Sequence, residues 1–413
     1  MHNGRKHLGN VFNRFSKRTF SVSGKDTVQF NILVGGNATA LTEIKCIPKR
    51  IRYHGNYATE VSNTDSLTVK LDPVLNTYFD DNRPGIILAV SKSNQPVFQT
   101  AKGIANLDGQ IPRNTRESFD IASVTKEFTA IAILQLVERG ILSLDSPISS
   151  YLDDIPNGEN ITIHHLLTHT HGLPQILGAD GYDLTLPLDI NVALDPLRGL
   201  QINFEPGERH QYGNTSYFLL AHIADLVSGQ SRNAYFREHI FGPANMSQSS
   251  FIMETTDIGT RVLGYNEASQ DITLRTFEEH DSQVTGTGDV ISTLSDMLKW
   301  QRAITDGTLI SSEMFELASA PKYLNDGTEI SRGYGFFRGT LDGETIIYNT
   351  GDLYTRTRHF YMPGRDISVV LNMNSSVEFD GGLPSVVFLQ ILGKVFDRSK
   401  LDMFDETIDL NTL

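Results

Sequence analysis

A serine and a lysine stand three residues apart in the run Ile121-Ala122-Ser123-Val124-Thr125-Lys126. A serine hydroxyl is a poor nucleophile at neutral pH and needs a base within hydrogen-bond reach. Residues i and i+3 share a helix face, so a helix beginning here points Ser123 and Lys126 together. A lysine buried away from acids loses its proton more readily and can accept the serine's. A helix N-terminus at Ser123 adds the positive end of the dipole. The S-x-x-K pattern also recurs by chance, as a capping serine and a surface lysine, so it needs partners. Tyr212, in Gln211-Tyr212-Gly213-Asn214, offers one. A phenol facing the pair can act as an alternative base and then as the acid that protonates the leaving group. Asn214 can hold the Lys126 ammonium or a substrate amide carbonyl. A third element is Asn349-Thr350-Gly351-Asp352 at a strand end. Thr350 can hydrogen-bond substrate, and Gly351 lets substrate approach the backbone closely. The amides of Asp352 and Ser123 can form an oxyanion hole, usually the largest single contribution to acyl transfer.

These residues need a scaffold. Residues 86–90 and 97–100 are apolar-rich runs separated by a polar stretch and read as a β-hairpin. A second strand-rich zone, 344–348, 357–361 and 367–371, is punctuated by Gly, Asp and Pro. Between the zones, 128–138 and 217–227 carry apolar residues at helical spacing, and a last helix fits 384–396. Strands at both ends with helices between predict an α/β fold. Its antiparallel sheet is flanked by helices and drawn from both chain ends, with a helical lobe inserted. The expected division is an N-terminal extension (1–67), a catalytic domain (68–400) and a C-terminal tail (401–413).

Composition narrows the function classes. The 413 residues carry a net charge of −14, 39% hydrophobic residues and one cysteine, Cys46. A single cysteine excludes an internal disulfide and a thiolate zinc site. Residues 1–65 carry ten basic and four acidic residues, a balance of +6, so the remainder carries −20. That acidic body repels phosphate and argues against nucleic acid as a partner. No run approaches 18 apolar residues, so no membrane span is expected.

Residues 1–25 hold six basic residues and no acidic one, with Leu8, Val11, Phe12 and Phe15 on one helical face. They lack the apolar core of a secretory signal. The pattern resembles a mitochondrial presequence, and Arg18-Thr19-Phe20-Ser21 resembles a matrix-processing site. A plain basic tail, or a start codon placed upstream, is the competing reading. The expected compartment is the cytoplasm, or the mitochondrion in a eukaryote. Five N-x-S/T sequons, at Asn37, Asn160, Asn214, Asn245 and Asn374, read as chance without a signal peptide.

The three chemical elements occur in order, 89 and 137 residues apart. Together they resemble the serine β-lactamase and D-alanyl-D-alanine carboxypeptidase superfamily, in its class C β-lactamase-like branch. The likeness extends to Leu166-Leu167-Thr168-His169-Thr170 with Gly172-Leu173, to Phe204-Glu205-Pro206-Gly207 ahead of Tyr212, and to 286–298. It covers roughly residues 75–395. It implies an α/β sandwich with a helical lobe and the site in the cleft between them. The implied mechanism uses no metal or organic cofactor: Ser123 attacks a carbonyl and water or another acceptor resolves the acyl-enzyme. The expected partner is a small-molecule or peptide substrate carrying an amide or ester. The competing function is a catalytically silent or filament-forming scaffold on the same fold.

Two departures stand out. The family's third motif begins with Lys or His, whereas this chain has Asn349, which brings no charge for a substrate carboxylate. Weak turnover of penicillins and better turnover of neutral esters or amides is therefore expected, unless Arg356 or Arg358 compensates. His171 replaces a frequent serine and clusters with His164, His165 and His169. The His165/His169 spacing lacks the glutamate of H-E-x-x-H, so structural or solvated histidines are expected and no metal.

Overall fold

The computed structural model describes residues 18–21, 27–30, 65–176, 194–195, 197–254, 261–268, 271–274, 284–375, 386–403 and 406–409. The chain divides into two units, Met1–Thr59 and Glu60–Leu413. In the first, Arg18–Ser21 pairs antiparallel with Thr27–Phe30. The helical face expected at Leu8, Val11, Phe12 and Phe15 lies outside the described residues, as does the Asn37 sequon.

The second unit opens on helix α1 (Asp65–Tyr78). Its Pro73 obscures the helical pattern, yet Leu71, Val74 and Leu75 fall on one buried face. Strands β1 (Ile86–Lys92) and β2 (Gln95–Lys102) form the expected hairpin. Ser93 and Asn94 turn it with φ of 50° and 58°, the left-handed pair that matches strand twist in a two-residue loop. Helices α2 (Thr125–Glu138), α3 (Thr215–Ser228) and α4 (Leu294–Thr305) follow in the lobe. The chain returns as β3 (Phe337–Leu341), β4 (Glu344–Asp352), β5 (Arg356–Met362) and β6 (Ile367–Met373). Helix α5 (Val386–Phe396) and strands β7 (Lys400–Met403) and β8 (Glu406–Asp409) come last.

One antiparallel sheet of eight strands runs β8-β7-β3-β4-β5-β6-β1-β2. Both chain ends feed it, because β6 pairs with β1 in register Ile367↔Lys92 to Met373↔Ile86. Period-two alternation distributes its side chains. Ile86, Leu88, Val90, Tyr348 and Phe360 meet α1 and α5 on one face. Ile87, Ala89, Ile347, Tyr361 and Val370 meet the lobe on the other. The expected C-terminal tail is different: β7 and β8 extend the sheet beyond β3. Covering the β3 edge satisfies backbone groups that would otherwise face solvent.

Helix α2 is the axis of the lobe. Every residue from Thr125 to Leu136 is buried, the pattern of a helix packed on all sides. Most of its polar side chains find partners on neighbouring elements. Thr129 donates to the Gly286 carbonyl at 2.7 Å, and Gln135 donates to the carbonyls of His239 and Leu309. Glu127 accepts from Trp300 Nε1 at 2.7 Å and contacts His359 on β5 at 3.0 Å. Trp300 itself stacks on Phe128 with centroids 3.7 Å apart. A Trp300→Phe substitution keeps this stacking but removes the donor to a buried carboxylate. We expect a loss of about 1.5–3 kcal/mol, the range for a hydrogen bond to a charged group, read from urea unfolding. An unchanged midpoint would show that His359 alone satisfies Glu127.

Candidate active site

The nucleophile candidate emerges from a short antiparallel sheet. Phe119–Asp120 pairs with Val290–Ser292, which pairs with Ser250–Phe251. The Ile121 amide then donates to the Val290 carbonyl at 3.0 Å. Ala122 takes φ = 47°, an uncommon conformation for a residue with a β-carbon, which the surrounding structure must hold in place. Ser123 follows in a 3-10 turn (Ala122–Val124) that runs into α2. The helix that the S-x-x-K reading requires is thus present, with Ser123 two residues ahead of its first residue.

Asp120 anchors this entry to the main sheet. Its carboxylate accepts from the Thr355 amide at 3.1 Å, and its carbonyl accepts from Thr357 Oγ1 at 2.9 Å. Asn372 on β6 donates to the hydroxyls of both threonines. Burial pushes the Asp120 carboxyl up to about 6, against the opposing pull of Arg261 and the Thr355 hydrogen bonds.

Lys126 is 2% exposed. Its Nζ donates to Ser123 Oγ at 3.1 Å and to the Thr287 carbonyl at 3.0 Å, and sits 5.1 Å from the Tyr212 ring centroid. Burial holds its ammonium below the ordinary lysine value; Tyr212 opposes this and Arg332 adds to it. The carboxylate of Glu127, next in sequence, is directed instead to Trp300 and His359. The requirement for a buried lysine with its head on the serine is met.

Tyr212 keeps 40% of its surface exposed, while its hydroxyl end is desolvated between Lys126 and Ser123. That desolvation raises its pKa, but Lys126, a hydrogen bond with Ser123 and the Arg332 charge outweigh it, leaving the phenol below its ordinary value. The loop bearing Tyr212 is laid on the Leu166–Leu173 run. Gln211 donates to the His169 carbonyl at 2.9 Å, Gly207 to the Thr170 carbonyl at 2.8 Å and Asn203 to the Gly172 carbonyl at 2.7 Å. The His169 ring lies 4.7 Å from that of Tyr212, and its Nδ1 meets Ser216 Oγ at 3.0 Å. Burial holds the His169 imidazole well below its ordinary value, with neighbouring cations adding to the effect, so it supports Tyr212 as a neutral ring. Asn214 is half-buried at the N-cap of α3, makes no side-chain cap, and is held by its amide on Gln175 Oε1 at 2.8 Å.

The third element reaches the site at the end of β4. Strand β3 pairs with β4 only as far as Phe337↔Tyr348, so 349–352 continue past it beside β5. Gly351 packs directly under the nucleophile turn. A β-carbon there would collide with the Ile121 carbonyl and lie 3.0 Å from the Ser123 amide nitrogen. The strand end bearing the Asp352 amide is thereby brought to Ser123. Thr350 is half-buried, its amide donating to Asn349 Oδ1 at 2.8 Å.

Asn349 departs from expectation. It is 2% exposed, its Nδ2 donates to the Gly335 carbonyl at 2.7 Å, and its Oδ1 takes the Thr350 amide. Both ends of the amide are therefore engaged with backbone, which fixes the β4 end. The proposed compensating arginines are engaged too. Arg356 Nε lies 3.2 Å from Asp352, and the buried Arg358 donates to the carbonyls of Gly351 and Thr357 and to Asp352. The cation in the site is Arg332, which the sequence reading missed. It lines one small cavity with Lys126, His169, Tyr212 and Asn349. Its only local signal is a place just ahead of Gly333-Tyr334-Gly335, a run whose position beside α2 no spacing rule reveals.

The remaining histidines have local partners. His164 Nδ1 meets the Tyr334 hydroxyl at 2.8 Å, His165 closes a capping box with Thr162, and His171 Nδ1 accepts the Leu173 amide at 2.9 Å. Among the described residues no His, Cys, Asp and Glu group is arranged to hold a metal ion. No described helix is long and apolar enough to cross a membrane. Of the sequon asparagines, Asn374 is fully buried and bonded to the carbonyls of Ile104 and Leu263, whereas Asn160 and Asn245 are exposed.

The beta-lactamase family model matches residues 69–388. The chain belongs to the beta-lactamase family. It is 31% identical over 333 residues to penicillin-binding protein 4* of Bacillus subtilis, covering 76% of this chain and 73% of that protein. It is 27% identical over 314 residues to the D-aminopeptidase of Brucella anthropi, covering 74% of this chain but only 58% of that one. Among solved structures, the octameric penicillin-binding protein homologue from Pyrococcus abyssi superposes with a TM-score of 0.67 at 27% identity, covering 80% of this chain and 77% of the other. The family's fold accounts for the sheet built from both chain ends and the inserted helical lobe.

The buried Asp120 carboxyl generates a pH prediction. Its folded value, about 6, exceeds the ordinary 3.8. The folded state therefore binds the proton more tightly than the unfolded chain. Stability from this group is full below pH 4 and declines as pH rises through 6. The cost above pH 6 is at most about 3 kcal/mol, from 1.36 kcal/mol per unit. Asp120→Asn removes the titration. Unfolding in urea at pH 4.5 and 7 is expected to show the variant gaining on the wild type at the higher pH. An equal difference at both values would mean that Asp120 does not titrate in this range.

Proposed function

We propose that this protein is a serine hydrolase that cleaves an ester or amide through an acyl-enzyme on Ser123. The observation that carries the reading is the Lys126 head, buried without a carboxylate partner among the described residues, 3.1 Å from Ser123 Oγ. A lysine so desolvated is populated as a neutral amine closer to physiological pH than an exposed one.

In this reading Lys126, assisted by Tyr212, takes the Ser123 proton as Oγ attacks the substrate carbonyl. The tetrahedral oxyanion lies between the amides of Ser123 and Asp352, whose approach Gly351 permits. Collapse breaks the bond to the leaving group, which takes a proton from the Tyr212 hydroxyl. The Ser123 ester remains. Water entering past Tyr212 then gives up a proton to the same pair as it attacks the ester, collapse breaks the acyl–Oγ bond, Ser123 Oγ takes the proton back, and the acid product leaves. Thr350 and Asn214 flank this path as substrate contacts; Asn349 shapes the strand behind it. The likeness to a D-aminopeptidase is a reason to try D-amino-acid amides first, with simple esters beside them as general acyl donors. With no cation at 349, neutral acyl groups are expected to outrank carboxylate-bearing ones. A scaffold role is less well supported, since binding alone gives no physical reason to bury Lys126 against a serine.

Ser123→Ala is expected to abolish turnover while leaving thermal unfolding nearly unchanged, because the hydroxyl is half-exposed and carries no packing. Lys126→Ala and Tyr212→Phe should each reduce kcat/KM by roughly 10²–10⁴-fold, the range for a positioned proton carrier. Hydrolysis of a p-nitrophenyl ester series checks all three. Wild-type turnover by Ser123→Ala would refute the assignment.

A further inference from the structure

The Arg332 guanidinium packs against two aromatic rings. Its Cζ is 4.8 Å from the Tyr212 centroid and 3.2 Å from that of Phe337, and the two rings are 6.1 Å apart. Its Nε meets His210 Nε2 at 3.1 Å. The residue is 7% exposed, so this charge stands behind Tyr212 rather than in the open cleft. Charge-bearing or titratable groups face Tyr212 from each element around it: Lys126 from α2, Tyr217 from α3, His169 and His210 from the loops, and Arg332 from the segment before β3. His169 is held neutral, and burial pushes the Tyr217 phenol far up. The fixed positive charge beside the phenol is therefore Arg332, together with Lys126 whenever that amine is protonated.

We propose that Arg332 is a positioning residue of the reaction, which replaces the cation missing at Asn349 by clamping the Tyr212 ring and biasing the Tyr212–Lys126 pair toward its proton-accepting state. The proposal rests on the serine-hydrolase reading. It differs from a carboxylate-binding role, because a buried guanidinium in contact with the Tyr212 ring acts on the ring it touches. A cation against an aromatic face is also a directional contact that restricts the ring's tilt. Charge at this range in a partly desolvated site moves a titration by about one unit or more.

The test is the pH profile of kcat/KM for Arg332→Gln, Arg332→Lys and the double variant Arg332→Gln/Asn349→Lys. Each is assayed on a neutral ester and on its carboxylate-bearing counterpart. Removing the charge is expected to shift the ascending limb about one unit to higher pH, a roughly tenfold loss on that limb for both esters. Activity should return at the top of the profile. Arg332→Lys should keep the limb near the wild-type position, and a lysine at 349 should move it back. A uniform fall at every pH, or a loss confined to KM for the carboxylate ester, would overturn the proposal. Should Arg332→Gln fail to fold by circular dichroism, a wild-type limb in Arg332→Lys with the shift in Phe337→Leu, which opens one side of the clamp, supports the proposal. An unshifted limb in Phe337→Leu contradicts it. Turnover by Ser123→Ala in the same assay would instead remove the underlying reading, whatever Arg332 does.

Discussion

A lysine ammonium with no carboxylate beside it is expensive to bury, and the rest of this site follows from that constraint. Lys126 meets only a hydroxyl, a carbonyl and a phenol among its described partners. None of these is a carboxylate, and desolvation outweighs the opposing pull of Tyr212, so the proton affinity of the amine falls. The neighbouring Glu127 would defeat this arrangement if it turned toward Lys126. Trp300 and His359 hold it away. The all-round burial of α2 is therefore a condition of the chemistry as well as of stability.

The second condition is that two distant parts of the chain meet to about an ångström. The nucleophile turn belongs to the lobe, and the strand end with Asp352 belongs to the sheet. Asp120 ties them by accepting hydrogen bonds from Thr355 and Thr357, and Gly351 lets the surfaces touch. The positive φ of Ala122 lies between these fixed points. A hydrogen-bonded anchor on one side and a missing side chain on the other hold the conformation that presents Ser123.

Much of this was legible in the sequence. The strands around 86–100 and 344–371 and the helix at 217–227 showed their periodicity, because each presents apolar side chains to the core, and the helix at 128–138 showed as an apolar run because it is buried all round. Ser123, Lys126 and Tyr212 were legible through residue type, order and spacing, and the structure brings them together. The backbone partners of Asn349 were not legible, because residue type alone cannot tell which groups a buried amide bonds. Arg332 was not seen because its closeness to Tyr212 is tertiary and leaves no periodic trace. The strands at 400–409 were read as a tail, since two four-residue strands with few apolar positions show no pattern of their own and stand by pairing, β7 with β3 and β8 with β7.

The central claim is that Ser123 is the acylated residue and that a base of lowered proton affinity activates it. Its most direct measurement is intact-protein and peptide mass spectrometry after brief reaction with an activated ester or fluorophosphonate, quenched over a range of pH. The account predicts a single adduct on Ser123, whose rate of formation rises through the region below the ordinary lysine and tyrosine values. An adduct elsewhere, no adduct, or a rate that climbs only above about pH 10, where unperturbed lysine and tyrosine titrate, would contradict it.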